Sequence, residues 1–495
     1  MESRRPIKKI ALVILSILVC ALFAGAILLH HFWPFTEGSV RSRLAETLSA
    51  NVKFGSFHEK YFPPGCIAEN VSFQRNGSGP PLISIRRLTI RSSLLRLLGH
   101  RISLLRAEGM HVTLARSDFS RNKSSDQQTT VDKFVADDAV LEIPQHGRNH
   151  PLRFVFHKFQ LDNLGGADAI KFAALFDNPM PAGVIRTSGQ FGPWNSSDPS
   201  STAVSGNYSL ANADLSVFNS IGGVISSDGN FRGKFKEIEV EGSATVPQFE
   251  VSSTQHKLPL RTRFTAAVNA INGETILRRV KGNFGRDEIQ AHGTIGRRPD
   301  GKRAAIIDLN CDRGRIEDTF YPFIKAPKSP ITGNVAFQMH VVIPSGHERF
   351  LKKIELKSDF RIQDARFTNP ETESRLSKIA ERPGQKEPDG TNLTDLGGQV
   401  IVRNGIAQFT QLSARDGDAS ALLRGAYDLT TERVNMHGRL TTKASLTKTT
   451  SGIKAAFAKA LEPLFKKGPR RKVVPVKISG TFHHPNFGLD TNSNM

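Results

Sequence analysis

The chain has 495 residues, 38% hydrophobic and 23% charged, which excludes a disordered polymer and leaves room for two or three ordinary domains or one large repetitive one. Lys and Arg number 67 against 46 Asp and Glu, a formal net charge of +21 that favours an anionic partner, nucleic acid or membrane head groups. The basic residues are spread along the whole chain without an RRM, KH or helix-turn-helix signature, so no nucleic-acid partner is expected and a membrane-proximal location is the simpler account.

Residues 1–9 form a basic tail carrying Arg4, Arg5, Lys8 and Lys9. Residues 10–29 then read IALVILSILVCALFAGAILL, 20 residues without a charge, interrupted only by Ser16 and Gly25. A helix of that length spans roughly 30 Å at ~1.5 Å per residue, about the hydrocarbon thickness of a bilayer. Phe32, Trp33 and Phe35 come next. Basic residues hold their flank in the cytoplasm and aromatics mark the far interface, so residues 10–32 are expected to be an uncleaved single-pass anchor. The competing reading is a cleaved signal peptide ending at Ala24-Gly25-Ala26. In both readings the remainder faces away from the cytoplasm.

A short helix is expected over 37–50, with Val40, Leu44 and Leu48 on one face. The pattern then changes to period two. Leu152, Phe154 and Phe156 oppose Arg153, Val155 and His157; Val335, Phe337, Met339, Val341 and Ile343 share a face. Ile354, Leu356, Phe360 and Ile362 alternate with charged residues, and Val474, Val476 and Ile478 repeat the theme. Half-buried strands give this pattern because successive side chains point to opposite sides of a sheet, and one apolar face opposite one wet face reads as antiparallel meanders. At ~12–15 residues per strand and turn, roughly 30 strands are expected, ~4.8 Å apart. The 32 Phe against 4 Tyr and 2 Trp call for a large dry surface, either a core or a lipid-contacting face.

A second regularity places Gly two residues before an aromatic or Val. It occurs at Gly189-Gln190-Phe191, Gly206-Asn207-Tyr208, Gly229-Asn230-Phe231, Gly282-Asn283-Phe284, Gly333-Asn334-Val335, Gly425-Ala426-Tyr427 and Gly480-Thr481-Phe482. Gly here is expected to mark a strand start, bulge or bend, with the next apolar side chain inward. The spacing is irregular, which argues against both a propeller and a strict solenoid. Further helices are expected over 92–98, 373–381 and 453–465, and loops over 117–130, 193–202 and 382–391. The last helix carries an apolar stripe of Ile453, Phe457, Ala460, Leu461 and Leu464 among lysines. It could lie on anionic lipid or cover the end of a sheet.

Chemistry is not announced. The chain has no P-loop, GxSxG or HExxH. His30-His31 and His483-His484 are adjacent pairs, poorly placed to chelate one ion, and Asp416-Gly417-Asp418 lacks the downstream Glu of a calcium loop. Cys20 lies in the apolar segment; a Cys66–Cys311 disulfide is allowed, but no framework or metal-ligand spacing exists. No enzyme, metal or cofactor is expected.

Three phrases, in order, resemble the AsmA-like family of bacterial envelope proteins. The first is the anchor with 52–74 and 81–116, where a strand runs from Leu105 through Gly109 to Val112. The second is 395–440, with an upstream echo in which Asn272-Gly273 precedes Gly293 as Asn404-Gly405 precedes Gly425. The third is VVPVKISGTFHHPNFGLD near the C-terminus. On this resemblance the chain divides into an N-terminal β module (37–116), a middle β region (131–350), a C-terminal β domain (351–446), an amphipathic helix (451–466) and a closing strand and tail (472–495). The resemblance implies a mainly β fold, a long curled antiparallel sheet forming a trough with an apolar interior. It also implies an inner-membrane protein with its bulk in the periplasm, serving outer-membrane biogenesis, with phospholipid as ligand and envelope proteins as further partners. The expected groove residues are Phe154, Phe156, Phe337, Met339, Val341, Ile354, Leu356, Phe360, Ile362, Val476 and Ile478. Alternation alone equally allows β-sandwich domains that bury their apolar faces against each other, and with them a structural module that tethers envelope components without carrying lipid.

Overall fold

The structure is a computed structural model that describes residues 33–48, 50–74, 81–113, 130–143, 151–166, 168–195, 198–218, 221–252, 254, 256–323, 329, 331–346, 348–367, 392–416, 419–442, 472–481 and 484–490. The basic tail and apolar segment, the expected helices over 373–381 and 453–465, the pair His30-His31 and the turn 417–418 lie outside these residues. Among the described residues no helix is long and apolar enough to cross a membrane. The described chain is mainly β, with 26 strands assembled as open sheet and four short α-helices. Contacts divide it into two compact units, Met1–Pro179 with Gln190–Ser197, and Met180–Gly189 with Asp198–Met495.

The first unit opens with helix α1 (Glu37–Leu48). Thr36 starts it, its Oγ1 accepting from the Ser39 backbone N–H, and Glu37 lies in the first turn where a negative charge suits the helix dipole. Val40 is buried and Leu44 half-buried against the sheet, as their spacing requires. The sheet comprises β1 (Asn51–Lys53), β2 (Ser56–Lys60), β3 (Gly65–Gln74), β4 (Ile83–Arg91), β5 (Arg101–Ile102), β6 (Leu104–Thr113), β7 (Thr130–Ile143), β8 (Leu152–Leu164) and β9 (Ile170–Pro179), with α2 (Leu94–Leu98) between β4 and β5. β3 pairs antiparallel with β1, β2 and β4, and β4 pairs antiparallel with β6. The expected all-antiparallel meander is interrupted here: β7 runs parallel to β5 and β6 before β8 and β9 resume antiparallel pairing. Period-two alternation reports which face a residue occupies but not the direction of its strand.

Directly paired residues lie on one face, so register turns the alternation into rows. One row reads Ala68, Leu88, Ala107, Ala136, Phe159, Ala174; its neighbour reads Val71, Ile85, Met110, Ala139, Phe156, Phe176. The first row is mostly alanine and the second mostly large side chains, so the large residues of one row have room over the small ones of the other. Trp33, Phe35, Val40 and Leu44 pack on the β1–β4 part of this face and form one core with it.

The second unit comprises most of β10 (Ala182–Phe191, its last two residues falling to the first unit), β11 (Ala203–Asp214), β12 (Ile221–Gly222), β13 (Val224–Lys234), β14 (Glu237–Val251), β15 (Leu258–Val268), β16 (Thr275–Phe284), β17 (Asp287–Arg297), β18 (Arg303–Arg315), β19 (Ile331–Pro344), β20 (Glu355–Phe367), β21 (Asn392–Arg403), β22 (Ile406–Asp416), β23 (Ala419–Asp428), β24 (Arg433–Thr442), β25 (Lys472–Thr481) and β26 (Pro485–Leu489). Helices α3 (Ile316–Thr319) and α4 (Phe350–Lys353) interrupt it. β13 pairs antiparallel with β11, and from β14 to β26 every strand pairs antiparallel with the one before it.

The glycine phrase has a more specific meaning than the sequence suggests. Gly333 does sit at a register shift, as a bulge residue would. Gly206, Gly229 and Gly242, however, lie inside strands directly opposite a neighbour's large side chain or glycine: Gly206 pairs with Phe231, Gly229 with Tyr208 and Gly242, and Gly242 with Phe264. The rings fold down over the bare backbone. A Cβ on Gly229 would stand 2.4 Å from the Glu241 carbonyl oxygen and 2.9 Å from the Tyr208 ring. Gly229→Ala is therefore expected to lower stability by about 1–3 kcal/mol, as overpacking does. Urea unfolding reads this directly; an unchanged midpoint would show that the ring moves aside freely.

The allowed disulfide does not form. Cys66 on β3 and Cys311 on β18 are both free and buried. Burial, with Glu59 nearby, pushes the Cys66 thiol up to about 12, and burial, then Asp287, pushes Cys311 up to about 11. Both are small apolar core residues, protonated and poor nucleophiles at neutral pH.

Candidate functional site

The two faces of the second unit's sheet differ in kind. On one, the row Val335, Ile362, Leu396, Ala414, Ala421, Leu440, Val474 crosses seven strands without a charge. Parallel to it runs Cys311, Phe337, Phe360, Gly398, Leu412, Leu423. The three buried clusters of this region share flanking side chains, Leu396 joining two of them and Leu309 with Met339 joining the third, so the apolar face continues from β17 to β26. The other face is wet and ion-paired: His340 Nδ1 lies 2.7 Å from Asp308, Arg278 3.0 Å from Glu237, Lys281 3.4 Å from Glu288 and Arg361 3.6 Å from Asp395. These exposed pairs give solubility rather than much stability.

Each expected groove residue falls on an apolar face. Phe337, Val341, Ile362 and Val476 are buried, and Met339, Leu356, Phe360 and Ile478 are half-buried beside them. Ile354 differs in its setting: it caps α4 just ahead of β20 rather than sitting in the strand, yet it remains buried with Val341 and Val402. Phe154 and Phe156 belong to the first unit, where both rings meet Phe176, at 6.3 Å and 4.8 Å between centroids.

The part that the alternation did not single out is β10–β17. Here the same face carries Ile185, Tyr208, Phe231, Val240, Phe264 and Leu277, all half-buried. Register links Phe231, Val240, Ala266, Leu277 and Ile307 through Gly293 in one row, and Tyr208, Gly229, Gly242, Phe264, Val280, Ala291 and Leu309 in the next. A second sheet packed on these strands would bury such side chains, as sandwich cores do. Instead they form an apolar floor that stays partly open. The Tyr208 hydroxyl set into it is satisfied: it donates to Ser227 Oγ at 3.1 Å, and Ser227 donates to the Ser243 carbonyl at 2.8 Å. The glycine phrase was the signal for this floor, because glycine under a lying ring keeps it low and smooth.

One end of these strands is capped. Ile316 and Phe320 pack on Val335 and Phe337, with Phe320 and Phe337 edge to face at 6.1 Å. Buried Asp287 fixes the cap, accepting from Thr319 Oγ1 at 2.7 Å and from the Arg315 backbone N–H at 2.9 Å. His256 stacks on Tyr321 at 4.2 Å and bonds its carbonyl. The Asp287 carboxylate thus ties α3 to the head of β17. Among the described residues no cluster of His, Cys, Asp and Glu could hold a metal ion.

Neither a family model, nor a curated protein, nor a solved structure matches this chain. The site is characterised by its own residues: a half-open apolar face opposite a charged, ion-paired one.

Proposed function

We propose that the chain is a membrane-anchored, non-enzymatic protein of the bacterial envelope, of AsmA-like type, whose periplasmic β body curls into a trough and holds or transfers phospholipid during outer-membrane biogenesis. The observation that carries the reading is the half-open apolar floor on β10–β17, continued by the buried face of β17–β26. The anchor rests on residues 10–29 with Arg4, Arg5, Lys8 and Lys9 on the inner flank.

The physics of carriage is simple. An acyl chain in water costs about 0.8 kcal/mol per exposed CH₂, which makes free transit between membranes prohibitively slow. Against Phe231, Val240, Phe264 and Leu277 the chain stays among apolar groups while its head group remains in water. Strands β11 and β13–β17 lie ~4.8 Å apart, so the floor extends about 24 Å, longer than the ~15 Å of one leaflet's hydrocarbon. No contact on the floor is specific for one chain length, so a lipid can shift along it at little cost.

Extraction of the purified full chain into organic solvent, followed by mass spectrometry, tests this. The expected result is phospholipid retained at a near-stoichiometric level after delipidating washes. A lipid-free protein that stays folded and exposes the same surface would overturn the proposal.

A further inference from the structure

The first unit carries an exposed apolar surface of its own. In the turn between β2 and β3, Tyr61 is 50% and Phe62 93% exposed; in α2, Leu94 is 54% and Leu95 83% exposed. These two segments lie side by side, because Gly65 pairs with Arg91 and the Ser92 N–H donates to the Pro64 carbonyl at 2.8 Å. Isolated exposed leucines are ordinary, but four large apolar side chains massed on one end of a sheet are not.

Two further observations say what covers them. The first is charge. Lys60 and Arg91 stand exposed beside the patch, and Arg96 and Arg101 flank it, both paired with Asp132. The nearby Glu59 accepts a bond from the Tyr61 hydroxyl at 3.2 Å. Cations around an apolar tip fit a surface that is anionic outside and hydrocarbon within. The second is chain path. Trp33 packs on Tyr61, ring centroids 5.0 Å apart, and it lies four positions beyond the last residue of the uncharged run 10–29. The chain therefore joins the fold at this end of the sheet, beside the patch.

We infer that this end of the first unit is a membrane-inserting tip: Phe62, Leu94 and Leu95 enter the boundary between head groups and acyl chains of an anionic bilayer, with Lys60, Arg91, Arg96 and Arg101 on its phosphates. The inference rests on the anchor in the proposed function and adds to it. An anchor alone fixes only where the chain enters the body, at the core residues Trp33 and Phe35, whereas an inserted tip also sets the strand ends against the lipid surface.

The test uses the full chain with Cys20→Ala, since the buried thiols of Cys66 and Cys311 resist labelling. An environment-sensitive fluorophore is attached at Leu95→Cys, and separately at Phe62→Cys, in proteoliposomes of phosphatidylcholine and phosphatidylglycerol. Arg153→Cys is the reference, because Arg153 pairs with Glu142 at the opposite end of β8 from Leu164, which lies at the tip end. The expected result is blue-shifted emission at 95 and 62, quenching by spin-labelled lipid, and at least fivefold protection from iodide relative to 153. Equal iodide access at 95, 62 and 153 in vesicles that keep the protein through an alkaline wash would overturn the tip and leave the anchor standing. Release of the protein by that wash would overturn both.

Discussion

Replacing Val240 and Phe264 together with glutamate is expected to cut the phospholipid recovered with the chain at least tenfold while leaving the fold intact. Both side chains lie on the open floor, in neighbouring register rows, and both are half-buried rather than enclosed. A carboxylate at such a position still reaches water in the lipid-free protein, so the stability cost resembles that of a surface change, within about 1 kcal/mol. The lipid-bound state is different. An acyl chain laid over the floor would strip water from two carboxylates without offering a partner, at a cost of several kcal/mol, whereas a tenfold loss needs only about 1.4 kcal/mol. The matched control is Arg261→Glu on the wet face of β15, which changes the charge by the same amount and is expected to retain lipid. Mass spectrometry of both proteins, with circular dichroism to confirm folding, separates the outcomes. Undiminished lipid in the double variant would mean that the floor is not where lipid lies.

The contrast between floor and wet face was legible in the sequence wherever a strand is regular. Val335, Phe337, Met339 and Val341 announce their face because every second residue is large and apolar, and the structure places all four together. What was not legible has physical reasons. The four-residue helices α3 and α4 are too short for a 3.6-residue period to show. The parallel pairing of β6 with β7 depends on the path between them, and no local pattern encodes strand direction. The open floor was hidden because its inward positions are shared between glycines and rings. Gly206 and Gly229 break the run of apolar side chains in their own strands, and only register reveals that Phe231 and Tyr208 fill those gaps from across the ladder. The possible pairing of Cys66 with Cys311 failed for the same reason: two cysteines in a sequence carry no distance, and the fold buries each in its own cluster.

Leu440→Ala is expected to destabilise the chain by about 2–5 kcal/mol, and Leu422→Ala by no more than about 0.5 kcal/mol. The two leucines occupy neighbouring strands, β24 and β23, and opposite faces of the sheet. Leu440 pairs with Ala421 and Val474 and is 0% exposed, in a cluster with Leu423, Val476 and the half-buried Phe487. Leu422 pairs with Arg439 on the wet face and is 49% exposed. Removing three carbons from Leu440 leaves a cavity between two strands whose backbones are held by their ladders, so the site cannot close and the cost adds a cavity term to the lost burial. At Leu422 water simply takes the space. Denaturant unfolding of the full chain reads both values on one scale. Equal effects would mean that the two faces are not segregated, and the division between apolar interior and wet exterior would fail with them. A large effect at Leu440 alone also bears on carriage. It would mark the β22–β26 end as a closed core and leave β10–β17, where the apolar side chains are half-buried, as the place for the proposed lipid.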